Sequence, residues 1–380
     1  MSNARTPIRA TRARGFTLVE LMVGMALGLI TTLIIAQVVS SAESNRRTTT
    51  TGSDAQINGS IGLYAISRDV QAAGYGLISH SAALGCPIRA RYASATQIDA
   101  TLAPVSITLD SDGNPTLRTL SSGRSSFSVP MAIKANHGTT DSGFTVNSTI
   151  GISAGDMVMA IPAAWSSSMG CTVYQVQAGT APATLTSTNV PITTVTGGNW
   201  NTNASTLTPT GGYLANSAYL VNLGQVVLRE YRVTGGNLVM RSLQADGTWS
   251  AEDTVASGIV QMQLFYGKDT SATKDGVIDA YDTTTPTTAD GWLRVLAVRV
   301  ALVARSEQRD KDTVTGSDPR LDVGSTAPLS GTTACVTGSE RKCLTLTIPR
   351  SSSTDTEWQH YRYKVYDTIV PLRNILWSAV

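Results

Sequence analysis

Residues 14–28 read RGFTLVELMVGMALG, and the charge-free run that continues from Leu21 to Ala42, LMVGMALGLITTLIIAQVVSSA, decides the fold. A helix needs roughly 20 apolar residues to cross a bilayer, so the run reads as a membrane helix or a signal peptide. Arg5, Arg9, Arg12 and Arg14 precede it with no acidic residue among them. That asymmetry predicts an amino terminus held in the cytoplasm and a remainder sent across the membrane. An ordinary cleaved signal peptide is the alternative, since Ser40 and Ala42 place small residues before Glu43. Its apolar core would then exceed the usual 7 to roughly 15 residues and would carry Glu20 at its head.

Working outward, Ile57, Ile61, Tyr64 and Ile66 recur at near-helical spacing up to Val70, and no proline occurs between Phe16 and Cys86. The spacing predicts one helix from Phe16 to about Ala73, roughly 85 Å at 1.5 Å per residue, weakened at Gly52, Gly59 and Gly62 and ended by Gly74 to Gly76. Thr17-Leu18-Val19-Glu20 has the form of a capping box, which would give Glu20 a purely local role. An acid there also suits the helix dipole. Yet an ionised carboxylate near lipid is costly and should seek a cation. Gly24 and Gly28 form a Gly-x-x-x-Gly face compatible with close helix packing.

The basic leader ending in Gly15, followed by Phe16-Thr-Leu-Val-Glu-Leu and the apolar run, resembles the type IV prepilin family. The resemblance implies that a prepilin peptidase cuts between Gly15 and Phe16 and methylates the new amine of Phe16. It also implies that Glu20 pairs with the terminal amine of a neighbouring subunit. Two later stretches extend it to the PilW-type minor pilins. GIVQMQLFYGKDTSATKDGVIDAYD (258–282) followed by WLRVLAVRVALVARS (292–306) is similar to that branch's strand, acidic loop and Trp-led strand. YRYKVYDTIVPLRN (361–374) is similar to its closing Tyr-rich strand ending in Leu-Arg-Asn.

Charged residues make up 15% of the 380-residue chain and apolar ones 42%, with 33 glycines, a balance that suits an exported β protein. Turn signals such as Asp112-Gly113-Asn114-Pro115 punctuate short β-type runs after about residue 77. Thr234-Gly235-Gly236-Asn237 lies between Gln225–Val233 and Leu238–Leu243 and reads as a hairpin. Val260, Met262, Leu264 and Tyr266 alternate with polar residues, as do Tyr361, Tyr363 and Val365, while Trp292–Val303 is almost continuously apolar. The expected fold is α+β and pilin-like: a long amino-terminal helix, membrane-spanning in its first half, packed on an antiparallel β-sheet head with a large insertion. The expected divisions are a leader at 1–15, the helix at 16–75 with its membrane span at about 18–40, a Ser/Thr/Gly-rich β region or first lobe at 76–210, and the sheet head at 211–380.

Cys86, Cys171, Cys335 and Cys343 form no Cys-x-x-Cys pair and lie near no histidine at zinc spacing, so disulfides are expected. Of three possible connectivities, Cys335 with Cys343 across a short charged loop is expected, leaving Cys86 with Cys171. His80, His137 and His360 stand far apart, and no nucleophile elbow, phosphate loop or His-Glu-x-x-His occurs; neither catalysis nor a cofactor is expected. Asp269, Asp275, Asp279 and Asp282 around Gly276 are a weak calcium candidate without the spacing of an EF-hand, and a solvated turn is the preferred reading. Asp110 and Asp112 are weaker still. Scattered tryptophans (Trp165, Trp200, Trp249, Trp292, Trp358, Trp377) usually lie in a core. Loss of four leader arginines takes the formal charge from +2 to −2, which disfavours nucleic acid.

These readings lead to an expected minor pilin that primes type IV pilus assembly and ends at or near the filament tip. The resemblance implies an inner-membrane, single-pass protein with a periplasmic head, and as partners other minor pilins, the major pilin, an inner-membrane assembly platform, prepilin peptidase and a large tip adhesin. A J-type pseudopilin of type II secretion and a secreted carbohydrate-binding β protein are the alternatives.

Overall fold

The structure is a computed structural model that describes residues 15–77, 80–93, 98–110, 112–123, 129–177, 185–192, 200–201, 207–325 and 328–376. The leader residues 1–14 and Trp377 lie outside the described residues. The chain divides into two compact units, residues 1–53 and 54–380.

The first unit is helical from Leu18, where α1 (Leu18–Ala72) begins. Leu18–Glu43 is long and apolar enough to cross a membrane, and none of it is buried within the chain. Thr31 and Thr32 turn their hydroxyls back onto helix carbonyls three or four residues earlier, at 2.8–2.9 Å. Both hydroxyls are thus satisfied without water, as an apolar medium demands.

The second unit holds the rest of α1 and the strands. In chain order these are β1 (Pro87–Ala90), β2 (Ile98–Thr101), β3 (Val105–Leu109), β4 (Pro115–Ser122) and β5 (Met131–Ala132). Next come β6 (Gly143–Thr145), β7 (Met157–Ile161), β8 (Cys171–Gln175), β9 (Asn189–Pro191) and β10 (Tyr219–Gly224). β11 (Val226–Thr234), β12 (Asn237–Ser242), β13 (Asp253–Ser257), β14 (Ile259–Lys268) and β15 (Ala280–Asp282) follow. The short helix α2 (Ala289–Leu293) precedes β16 (Val295–Arg305), and β17 (Arg320–Gly324), β18 (Thr333–Ala334), β19 (Lys342–Thr345), β20 (Tyr363–Pro371) and α3 (Arg373–Leu376) complete the chain.

Three larger sheets enclose the core, in the orders β2-β1-β8-β7-β10-β5, β13-β12-β11-β4-β3 and β15-β14-β16-β20. All their pairings are antiparallel except β1 with β8. β11 and β12 form the expected hairpin, joined by Gly235 and Gly236, both in the left-handed region that the tight turn requires. β4 pairs with β11, and β10 with β7, so strands from either side of residue 210 share two sheets.

β7 is buried throughout, and β16 from Val295 to Ala304, because both faces of each are covered. On β16, Val298, Val300 and Leu302 join the central core with Ile66 and Val70 of α1, while Ala301 and Val303 face a smaller cluster of Leu321, Leu346, Ile348 and Trp358. On β7, Met157 and Met159 face the central core, and Val158 and Ala160 face a third cluster around Phe144, Tyr174 and Tyr213.

The packed face of α1 in this unit runs Ala55, Gly59, Gly62, Ile66, Asp69 and Val70. Ile57, Ile61 and Tyr64, whose spacing points to the helix, lie on its other side and are 54%, 46% and 70% exposed. The glycines that lower helix propensity are therefore the points of contact. A Cβ on Gly59 would overlap the Tyr366 ring, and one on Gly62 would stand 3.0–3.1 Å from Leu302 and Leu238. After Ala72 the helix stops, and Gly74 and Gly76 take positive φ, as a helix exit favours.

Candidate assembly site

Thr17 caps the first turn of α1: its Oγ1 accepts from the Glu20 amide at 3.3 Å, and its carbonyl accepts from Leu21 at 3.2 Å. Among the described residues the reverse bond of a capping box, Glu20 carboxylate to Thr17 amide, is not made, and no cation or donor of this chain reaches that carboxylate. The structure thus places an exposed Phe16, a threonine cap and an unengaged acid within the first turn of an apolar helix. Gly15 lies just before them. A Cβ on Gly24 or Gly28 would meet nothing within 4 Å, leaving that small-residue face open to another helix.

At the opposite end of α1 the site reasoning missed Asn374. Its side-chain amide donates to the carbonyls of Ala72 at 3.4 Å and Ala73 at 2.8 Å, so the Leu-Arg-Asn tail caps the carboxyl end of the helix, whose last carbonyls lack helical partners. The Leu-Arg-Asn signal was visible; its target, three hundred residues earlier, was not. One turn inside, Asp69 is buried and accepts from Arg229 Nη1 at 2.7 Å and from the Tyr231 hydroxyl at 2.5 Å. Burial, then the hydrogen bond to Asp69, pushes the Tyr231 hydroxyl well above its ordinary pKa. Glu230, also buried, takes Arg118 and Arg241 from opposite sides, and both guanidiniums lie over the Trp249 ring.

Two disulfides are present. Cys86–Cys171 ties the start of β1 to the start of β8 with 5.9 Å between Cα atoms. Cys335–Cys343 joins β18 to β19 at 4.8 Å. Asp322 lies near the second pair, but sulfurs bonded to each other offer no thiolate to a metal.

The acidic loop after β14 is occupied by its own backbone. Asp269 is buried and accepts from the amides of Ser271, Asp275 and Gly276 at 2.9–3.1 Å. Asp279 accepts from Thr270 and Ser271, Asp275 from Val277, and Asp282 from Lys268 and Thr284. The Thr270 amide, chief among these donors, holds Asp279 below the usual carboxylate range. Among the described residues no three of the four carboxylates converge on one point.

The histidines are scattered. His80 leans on Tyr219, His137 stacks on Phe144 at 3.7 Å, and His360 Nδ1 lies 3.1 Å from the Asp312 carbonyl. Trp165 and Trp200 donate to the carbonyls of Ala82 and Ala245, and Trp292 is buried against Tyr266.

Two family comparisons fall on the stretches that build these sites. Residues 10–36 match the prokaryotic N-terminal methylation motif. Residues 227–374, which hold the hairpin β11–β12, the four-stranded sheet and Asn374, match the family described as Type IV Pilus-assembly protein W. No curated protein and no solved structure matches the chain. A methylation motif on an apolar helix and a carboxyl-terminal sheet that matches the pilus-assembly family make this chain similar, over those two stretches, to the PilW-type minor pilins.

Proposed function

We propose that this chain is a minor pilin that primes assembly of a type IV pilus and comes to lie at or near its tip, without catalysing a reaction. Cleavage between Gly15 and Phe16 by prepilin peptidase, with methylation of the Phe16 amine, would leave Leu18 to about residue 40 as a single inner-membrane span and the head in the periplasm. The partners of this reading are other minor pilins, the major pilin, the assembly platform and a large tip adhesin. The pilin family is structural rather than catalytic.

The observation that carries the reading is Glu20: a carboxylate at the head of an apolar helix, with no partner among the described residues of its own chain. Such a group is costly in lipid until a cation reaches it, and the amine of a neighbouring Phe16 is the cation the processing reaction supplies. The exposed stripe Ile57, Ile61 and Tyr64 supports it, since these apolar side chains suit a second subunit better than solvent.

The test is Glu20→Gln, which keeps a hydrogen-bonding side chain but cannot form the ion pair. Membrane insertion and head folding are expected to persist, while co-purification of partner pilins and the number of pili per cell fall. Unchanged piliation would overturn the intersubunit role. Mass spectrometry of the native amino terminus is expected to find methylated Phe16, and a chain starting at Glu43 would overturn the pilin reading altogether. Deletion is expected to abolish surface pili and leave protein secretion intact; the reverse would favour the secretion pseudopilin.

A further inference from the structure

The outer face of the six-stranded sheet carries an apolar cluster of its own. Val158 of β7, Tyr174 of β8 and Leu220 of β10 join it, and the two-stranded ribbon β6–β9 lays Phe144 and Val190 over them. Met159 of β7 and Val173 of β8 belong to the central core, so the ribbon covers one face of the sheet and none of that core. Single bridges, Ile133 with Val146 and Val176 with Ile192, join the ribbon to the sheet. Against this cluster lies His137, 2% exposed, its ring flat on Phe144 and edge-on to Tyr174. The His137 amide donates to the Tyr213 carbonyl at 2.9 Å, and the Tyr213 amide returns a bond at 2.8 Å.

Nδ1 of His137 stands 3.0 Å from the Gly143 carbonyl oxygen at the start of β6. A carbonyl oxygen only accepts, so Nδ1 carries the hydrogen, and in the neutral ring Nε2 keeps a lone pair. Nε2 is buried, and among the described residues nothing bonds to it. The neutral ring fits this slot and the protonated ring does not. A second N–H, on Nε2, would be a buried donor without an acceptor, and its charge would sit among apolar side chains. The surrounding groups offer little relief. Tyr174 and Tyr213 are kept neutral by burial, and their hydroxyls bond to Thr208 and to Gly170 and Thr172. Lys134, on the same segment as His137, turns to Asn216. Asp141, the one carboxylate acting on the ring, already accepts from the Gly138 amide at 2.7 Å, and burial outweighs its pull. Phe144 of β6, Val190 of β9, Val158 of β7 and Leu220 of β10 add no charge.

We infer that His137 is an acid-operated latch: its protonation expels the ring, frees the Gly143 carbonyl and lifts the β6–β9 ribbon, baring the apolar outer face of β7 and β8 while the central core stays closed. The open form takes up one proton from solvent, at Nε2. Each pH unit below about 6.5 therefore favours opening about tenfold, until the buried ring itself titrates. Such local opening needs no loss of the whole fold. The Cys86–Cys171 bond lies in the central core and holds the start of β8 in place, so the sheet stays when the ribbon leaves. The latch concerns the head alone and does not depend on the filament role.

The test is hydrogen exchange on the full-length protein in detergent micelles between pH 7 and 5, with each rate divided by the intrinsic rate at that pH. The amides that fasten the ribbon are Val146, bonded to Thr188, Ile192 to Ser142 and Lys134 to Thr145. Their protection is expected to fall about tenfold per pH unit below about 6.5. The amides of Ser306 and Leu372, bonded between β16 and the chain around β20, are expected to keep theirs. His137→Phe preserves the stack without a titrating group and is expected to abolish the pH dependence. His80→Phe, which removes the other histidine shifted by burial, is expected to leave it. Should His137→Phe fail to fold, nitrogen-15 shifts of the histidine rings in the parent decide the matter. His137 is expected to carry its hydrogen on Nδ1 at pH 7 and to titrate together with the loss of ribbon protection. Ribbon protection unchanged at pH 5, an equal loss at Ser306 and Leu372, a pH dependence that survives His137→Phe or vanishes in His80→Phe, or a ring hydrogen on Nε2 would each overturn the inference.

Discussion

Gly59 and Gly62 let α1 press against β20 and β16, and one added carbon at Gly59 tests how tightly. Gly59→Ala gains helix propensity, about 1 kcal/mol, but its methyl enters the Tyr366 ring, and overpacking costs about 1–3 kcal/mol. A lowered unfolding midpoint is expected in thermal melts, and a raised one would show that Tyr366 swings aside freely. Gly24→Ala, with open space around it in the isolated chain, meets no such clash and is expected not to lower the midpoint. A different residue-scale outcome attaches to His137. Burial holds its imidazole below the ordinary value of 6.5, although the Gly143 carbonyl and Asp141 pull the other way. The unfolded chain therefore binds a proton below about pH 6.5 that the folded state refuses. The stability is present in full above that pH and is lost as pH falls toward the lowered folded value. His80, shifted the same way by burial, adds to the slope. Denaturant titrations between pH 7 and 5 are expected to show a shallower loss in His137→Phe than in the parent.

At the scale of elements, the two disulfides are expected to contribute unequally. Cys86–Cys171 closes 85 residues and Cys335–Cys343 only 8, which in the chain-entropy description corresponds to about 4.5 and about 2.5 kcal/mol. Paired serine replacements followed by equilibrium unfolding check the ranking, and equal losses would point to strain or residual structure instead. The junction of α1 with the five-stranded sheet rests on Asp69; Asp69→Ala strands the Tyr231 hydroxyl and Arg229 and is expected to lower stability by about 2–3 kcal/mol. Which elements were legible follows from the same physics. The Thr234–Asn237 turn and the apolar run of β16 announced themselves because one needs glycine and the other is buried on both faces. The helix was legible in extent but not in orientation: Ile57, Ile61 and Tyr64 carry the obvious apolar spacing, while the face that packs is built of Ala55, Gly59 and Gly62, which look like weak points. The strands of residues 87–191 are mostly two to five residues long and carry too few alternations to announce a face.

Over the whole molecule, local patterns gave way to long-range pairing. β1 meets β8 eighty residues on, β4 meets β11 across a hundred, and Asn374 returns to Ala72, so no composition shift marks where one sheet ends and another begins. Glu20 was legible as an acid in the wrong medium, because a single charge in an apolar run needs no tertiary context to be noticed. Asn374 was not, since the carbonyls it caps are brought to it only by the fold. The parallel seam of β1 and β8 has one more consequence, which concerns force. A subunit bearing tension along its chain can lengthen only by the residues free to straighten, and the bond between Cys86 and Cys171 short-circuits everything between them. Oxidised, the molecule hides about 290 Å of contour length from a pulling load, with about 27 Å more held by Cys335–Cys343. In a single-molecule stretching experiment that length is expected to appear only after reduction, so that the redox state of the head sets how far it can give before it breaks.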